Sequence, residues 1–298
     1  MTAIERFVQY ERYELNRSPH TVAAYRGDLE QFCSFLSRGG ADAVEWGTVS
    51  VTDVRAWLVN RADAGDCART LRRRVQSVRA FYQWLMREGA VADNPAAEVE
   101  LARLPRRLPQ YVREQNLNTL LDTPVDASCF EAVRDHLVVA LLYETGIRRA
   151  ELIGLLDAAV DVSQGVLRVH GKRDKDRVVP FGPELGRWIT HYRELRDATV
   201  TVQTPALLVT SAGRAMYPSL VYRIVHDNLA SVGGSDRMSP HVLRHSFATA
   251  MLNHGAELNS VKELLGHESL AATQVYTHVT LSELKHNYEL AHPRASKK

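Results

Sequence analysis

The chain has 298 residues, enough for two ordinary domains, and 45% of them are hydrophobic, the proportion of a globular protein. Its formal net charge is only +2, so a charged function has to be sought in how the charge is distributed. No apolar run approaches the ~20 residues of a membrane span, the start M-T-A-I-E-R-F lacks a secretory layout, and Cys33, Cys67 and Cys129 are scattered and odd in number, which argues against a disulfide framework or a thiolate metal site and predicts a reduced, cytoplasmic protein without membrane insertion.

The first hundred residues read as helices. Ser18-Pro19 is a helix start, with Ser18 as N-cap and Pro19 in the first turn. Val22, Tyr25, Leu29, Phe32 and Leu36 then recur at three- and four-residue steps as one apolar face, which Gly39-Gly40 would end. Thr52 is expected to cap a second helix with Val54, Trp57 and Leu58 inward. A third carries Leu71, Val75, Val78, Phe81/Tyr82 and Leu85. Its other faces hold Arg69, Arg72, Arg73, Arg74 and Arg79 with no acid between them, a cationic stripe that suggests an anionic partner. A solvated helix face is the plainer reading.

R-L-P-R-R-L-P-Q, Arg103 to Gln110, reads as an extended linker, because each proline removes a backbone donor and disfavours helix before it. The expected organisation is a helical domain over 1–102, a linker over 103–110 and a second domain over 111–298. In the second domain Val133 to Thr145 is an apolar helix ending at Gly146, and a short helix follows from near Arg149 with Leu152 and Leu155 inward. Val166–His170 and Arg177–Phe181 flank the turn G-K-R-D-K-D as a hairpin. Pro183 opens a helix with Leu185, Trp188, Ile189, Tyr192 and Leu195. Further caps are expected at Ser239-Pro240, Gly255, Gly266, Ser269 and Thr280. This domain is predicted α+β, mainly helical, with one small sheet.

Chemistry concentrates in the second domain. In S-P-H-V-L-R-H, His241 and Arg244 share a face of a helix's first turns, where free N–H groups and the helix dipole favour an anion. His241 and His245 could also form a metal pair, although no third ligand stands at a familiar spacing. Arg148 follows the Gly146 turn and could hold two phosphate oxygens, or simply be solvated. Lys172 and Lys175 stand in the hairpin tip, as ordinary turn residues or as proton donors. Tyr276 in G-H-E-S-L-A-A-T-Q-V-Y-T-H, taken alone, is better read as a packed residue.

Taken together and in order, G-I-R-R-A-E-L, H-V-L-R-H-S-F-A-T and L-L-G-H-E-S-L-A-A-T-Q-V-Y-T-H resemble the active-site motifs of the tyrosine recombinase (phage integrase) family, and S-P-H-T-V-A-A-Y-R-G-D-L-E-Q-F resembles its helical core-binding domain. The ending A-H-P-R-A and the length resemble the bacterial Xer recombinases, the C-type more than the D-type. Arg173 stands where a glycine is usual, and Ala150 where a serine is usual. The resemblance implies an all-α core-binding domain and a mainly helical catalytic domain with a small antiparallel sheet. It implies Tyr276 as nucleophile, Arg148, Arg244 and His267 on the phosphate, His241 as proton acceptor and Lys172 as proton donor to the leaving 5′-oxygen. No metal, ATP or other cofactor is required. DNA would be gripped by Arg69, Arg72, Arg73, Arg74, Arg79 and Lys175. The implied partners are a double-stranded recombination site, a second related recombinase in a cyclic two-plus-two tetramer, and a septal DNA translocase. The implied task is chromosome-dimer resolution at cell division. A phage or transposon integrase, or a catalytically silent DNA-binding protein on the same scaffold, are the alternatives.

Overall fold

The computed structural model describes residues 1–37, 44–100, 111–171, 176–232, 238–266 and 281–295. It divides into two units, Met1–Arg107 and Leu108–Lys298. The predicted linker, Arg103 to Gln110, lies outside the described residues, as do Gly39-Gly40, Ser269 and Thr280.

Among the described residues of the N-terminal unit, the regular secondary structure is all helical. α1 (Ala3–Gln9) starts in a capping box between Thr2 and Glu5 and runs into one π-helical turn, Tyr10–Glu14. α2 (Pro19–Leu36) starts as expected, with the Ser18 hydroxyl accepting from the Thr21 backbone N–H at 3.2 Å. α3 (Val51–Asp63) starts two residues earlier than Thr52 suggests. Ser50 is the cap, because Asp53 stands three residues on and returns a bond to the Ser50 backbone N–H at 2.9 Å. α4 (Ala68–Arg87) is the longest helix here and buries Val75, Val78, Phe81, Tyr82 and Leu85. Aromatic rings fill the core: Phe32 lies 4.8 Å from Trp57, and Trp46 meets Phe81 edge-on at 4.8 Å. Phe32, Trp57 and Phe81 are fully buried, and a ring so buried contributes about 1.5–3 kcal/mol.

The C-terminal unit is built around α6 (Phe130–Thr145), whose residues from Leu137 to Thr145 are all buried. A helix apolar on every side has to be surrounded. α8 (Pro183–Thr199), α9 (Pro218–Val232) and α10 (Pro240–Asn253) pack on it, and α5 (Glu114–Asp122) packs on α6 and α9. The sheet is antiparallel in the order β1 (Val160–Asp161), β2 (Val166–His170), β3 (Asp176–Pro180). Leu167 opposite Val179 and Val169 opposite Arg177 fix the hairpin register, with Leu167, Val169 and Val179 buried. α6 ends where Gly146 turns left-handed, φ +61°, and a Cβ there would stand 2.4 Å from Phe247 of α10. α7 (Arg149–Ile153) follows at once, with Leu152 and Leu155 buried. α11 (Leu258–Leu265) ends at a second left-handed glycine, Gly266. α12 (Leu281–Ala291) packs on its own unit against α10, α11 and β3, burying Leu284 and Tyr288.

Candidate active site and the families it resembles

Arg148 is the N-cap residue of α7. Its backbone N–H donates to Glu151 Oε2 at 2.7 Å, the returning half of a capping box, so the acid three residues on is held against the turn. The Arg148 guanidinium donates from Nη1 to Glu151 Oε1 at 2.8 Å and from Nη2 to the Gly266 carbonyl at 3.0 Å. Arg244, one turn into α10, is buried. Its Nη1 donates to the Gly146 carbonyl at 2.7 Å and its Nη2 to the Leu265 carbonyl at 2.5 Å. Arg148 and Arg244 thus hold carbonyls of consecutive residues at the end of α11. A helix C-terminus, with its unpaired carbonyls and negative dipole end, is where cations gain most.

A third arginine completes the arrangement. Arg177 of β3 donates from Nε to the Leu264 carbonyl at 2.8 Å, and from Nη1 and Nη2 to the two Glu151 oxygens at 2.8 and 2.9 Å. Burial alone would raise the Glu151 pKa, but the bonds from Arg177 and from the Arg148 backbone outweigh it and hold the group at about 2. Glu151 is therefore a carboxylate at any working pH. The cations crowd one another: burial, and then the charge on Arg148, bring Arg244 down to about 10, so it stays protonated at neutral pH while favouring a further anion.

His241 lies one turn before Arg244 on α10 and is exposed. Its ring meets that of His245 edge-on, centroids 4.6 Å apart. Partial burial of the ring, then the electrostatic influence of His245, Arg244 and Arg148, hold the His241 pKa below the ordinary histidine value, which leaves a neutral ring able to take a proton. Among the described residues no group of three or more His, Cys, Asp or Glu is placed to hold a metal ion. Also among the described residues, no helix is long and apolar enough to cross a membrane.

Lys172, Lys175, His267 and Tyr276 lie outside the described residues. Arg148 and Arg244 meet at the end of α11, and His241 lies within electrostatic reach of both. Glu151 and Arg177 belong to the same network and were not among the predicted site residues. The spacing R-x-x-E at a helix start was the available signal for Glu151, whereas nothing local marks Arg177.

The stripe on α4 needs correction. Arg69 is exposed and Arg72 half-buried, but Arg74 is only 6% exposed and is paired with Asp28 at 3.0 Å and Asp66 at 2.8 Å. Arg79 donates to the carbonyls of Ala96, Ala97 and Val99, and Arg73 pairs with Asp28. Arg74 and Arg79 therefore build the unit instead of facing outward. The reason is that Asp28 on α2 and the bare carbonyls after α4 lie on the faces that periodicity left unassigned.

Comparison with known proteins agrees with this frame. The phage integrase family matches residues 110–283, and the phage integrase N-terminal SAM-like domain matches residues 4–89. The chain is 40% identical over 304 residues to the tyrosine recombinase XerC of Mycobacterium sp. (strain JLS), covering 99% of each. It is 39% identical over 317 residues to the tyrosine recombinase XerC of Chlorobaculum parvum (strain DSM 263 / NCIMB 8327), covering 98% of this chain and 94% of that one. Among solved structures, the post-cleavage complex of the XerH site-specific recombinase with a palindromic difH substrate has the same fold, at TM-score 0.70 and 18% identity over 97% of this chain and 84% of that one. Sequence kinship along nearly the whole length, on this fold, makes the chain a member of the phage integrase family and of its XerC-type tyrosine recombinases, site-specific enzymes that cut and rejoin DNA.

Proposed function

We propose that Tyr276 attacks a phosphodiester in a specific double-stranded DNA site, forming a 3′-phosphotyrosyl bond as the bond to the 5′-oxygen breaks. A phenol with a pKa near ~10 is a poor nucleophile at neutral pH, and the diester repels it. Arg148 and Arg244 answer the second difficulty by holding the non-bridging oxygens and the charge that grows on them in the transition state. His267 adds a hydrogen bond to the phosphate. His241, kept neutral by its surroundings, takes the tyrosine proton, and Lys172 gives a proton to the leaving 5′-oxygen. A 5′-hydroxyl from another strand reverses the step, so one ester replaces another and no metal or ATP is consumed.

The single observation that carries this reading is the meeting of Arg148 and Arg244 on the adjacent carbonyls of Gly266 and Leu265, with the Glu151 carboxylate held against Arg148. The charge there favours a further anion. The domains are assigned as 1–102 for core binding, 103–110 for the linker and 111–298 for catalysis. Arg69, Arg72, Arg73 and Lys175 contact DNA phosphates. The enzyme works in the cytoplasm, in a cyclic tetramer with two copies of a related recombinase, under control of a septal DNA translocase, and resolves chromosome dimers at division.

The test uses a DNA site mapped by footprinting on chromosomal DNA and nicked beside the cleavage position. Wild type traps a covalent protein–DNA adduct. Tyr276→Phe binds the site equally well and traps none; an adduct that survives this substitution refutes the assignment of the nucleophile.

A further inference from the structure

The geometry points to Arg177 as a positioning residue for strand cleavage: by clamping Glu151 it keeps that carboxylate from closing over Arg148 and Arg244 and leaves their charge to the phosphate. The inference rests on the proposed function and goes beyond it, since the role assigned to Arg177 is exercised through Glu151 and not on the phosphate.

Three observations support it. Arg177 engages both oxygens of Glu151 with parallel N–H bonds, the fork geometry that fixes a carboxylate in place as well as binding it. Glu151 Oε1 is shared by Arg148 Nη1 and Arg177 Nη1, each at 2.8 Å, so the position of one guanidinium depends on the other. Finally, Arg177 Nε holds the Leu264 carbonyl, next in line to those that take Arg244 and Arg148, so three consecutive carbonyls each receive a different arginine. Even Gly266 fits this arrangement. A Cβ there would stand 3.3 Å from Arg177 Cδ and Nη1, on a residue that is already left-handed at φ +62°.

Without Arg177, Glu151 would remain buried with Arg148 as its nearest cation. Each oxygen would keep one bond, from Arg148 Nη1 and from the Arg148 backbone N–H, and the donors lost with Arg177 are most cheaply replaced by drawing the rest of the Arg148 guanidinium onto the carboxylate. That pairing would occupy the donors the phosphate needs. The expected loss is therefore in rate and not in DNA affinity, which is set by phosphate contacts along the whole site.

The experiment measures single-turnover adduct formation on the nicked DNA site for wild type, Arg177→Met, Arg177→Lys, Glu151→Gln and a structural control on the same strand, Val179→Ala. Arg177→Met is expected to slow cleavage by about 100-fold, and Arg177→Lys, which keeps the charge but loses the fork, by about 10-fold, each at unchanged DNA affinity. The pH profile separates positioning from mere stability. In wild type Glu151 is ionised throughout the measured range. In Arg177→Met its pKa moves up, and because the ionised carboxylate is what occupies Arg148, the rate gains a new acidic limb that rises relative to wild type as pH falls; adding Glu151→Gln removes that limb. Should Arg177→Met fail to fold, Arg177→Lys decides by the same criteria. The inference is overturned if the Arg177 variants cleave at the wild-type rate, or if they lose no more than Val179→Ala and show no acidic limb. A wild-type protein that forms no adduct would overturn the proposed function and this inference with it.

Discussion

Around Asp28 in the N-terminal unit, Arg73 and Arg74 approach one carboxylate while Asp66 takes a second bond from Arg74 and one from Arg61, and the Ser77 hydroxyl donates to Asp28 at 2.6 Å. Around Glu151 in the C-terminal unit, Arg148 and Arg177 share one carboxylate, and Arg244 has backbone carbonyls as its partners. The ingredients are alike and the balance differs. In the first cluster three arginines divide two aspartates, and the result is a fastening between α2, α4 and the turn before α4. In the second, among the described residues, two arginines share a single glutamate, and neutral carbonyls with only partial charge take a donor from each of the three. A buried cation matched by a carboxylate is structural. One matched by carbonyls keeps most of its field and favours an incoming anion. The number of acids packed opposite, and not the number of arginines in the sequence, separates the two roles.

Substitutions in each cluster test that distinction. The largest effect is expected from Arg244→Gln, which should slow adduct formation by about 100- to 1000-fold, some 3–4 kcal/mol of barrier, as when one preorganised donor is lost. Single-turnover kinetics on the nicked site read it directly, and a loss below tenfold would place Arg244 with the fastenings. Next, Arg74→Met should cost about 3 kcal/mol of stability in the N-terminal unit, because it leaves Asp28 and Asp66 short of a buried partner, while Arg73 and Ser77 still serve Asp28. Denaturant unfolding measures this, and DNA cleavage by the folded fraction should proceed at the normal rate. The smallest effect belongs to the exposed Arg69. Arg69→Ala should weaken DNA binding evenly across sequences and lower the slope of log K against log salt by about 0.9, one phosphate contact. An unchanged slope would remove Arg69 from the DNA face.

Several features were legible because their causes are local. Ser18-Pro19 specifies a helix start within four residues, and Gly146 specifies a left-handed stop within one. The hairpin of Val166–His170 with its partner strand follows from β-rich segments on either side of the charged run G-K-R-D-K-D. Ser50 was missed in favour of Thr52 because both are competent caps, and the choice depends on Asp53 standing three residues after one and not the other. Arg74 and Arg79 were misplaced for a different reason. Apolar periodicity identifies the buried face of α4 but does not reveal that a neighbouring helix brings an aspartate, or a turn its carbonyls, to a charged position.

The candidate site divides along the same line. Arg148, His241 and Arg244 could be identified by motif, since each motif is a short run that fixes its own helix start. Their convergence could not, because it requires α6, α10 and α11 to bring Gly146, Arg244 and Leu265 within hydrogen-bonding reach across separations of 98 and 21 residues. Arg177 and Glu151, 26 residues apart, meet only when β3 lies beside the start of α7. The sequence by itself determined where helices begin and end, which residues are apolar enough to form two cores, and which motifs bear the family's chemistry. Only the tertiary structure decided which guanidinium meets carboxylates and which meets backbone carbonyls. The reason is physical: helix caps and periodicity are settled by neighbours a few residues away, whereas the surplus of charge at a buried site depends on every carboxylate and carbonyl that distant segments bring to it.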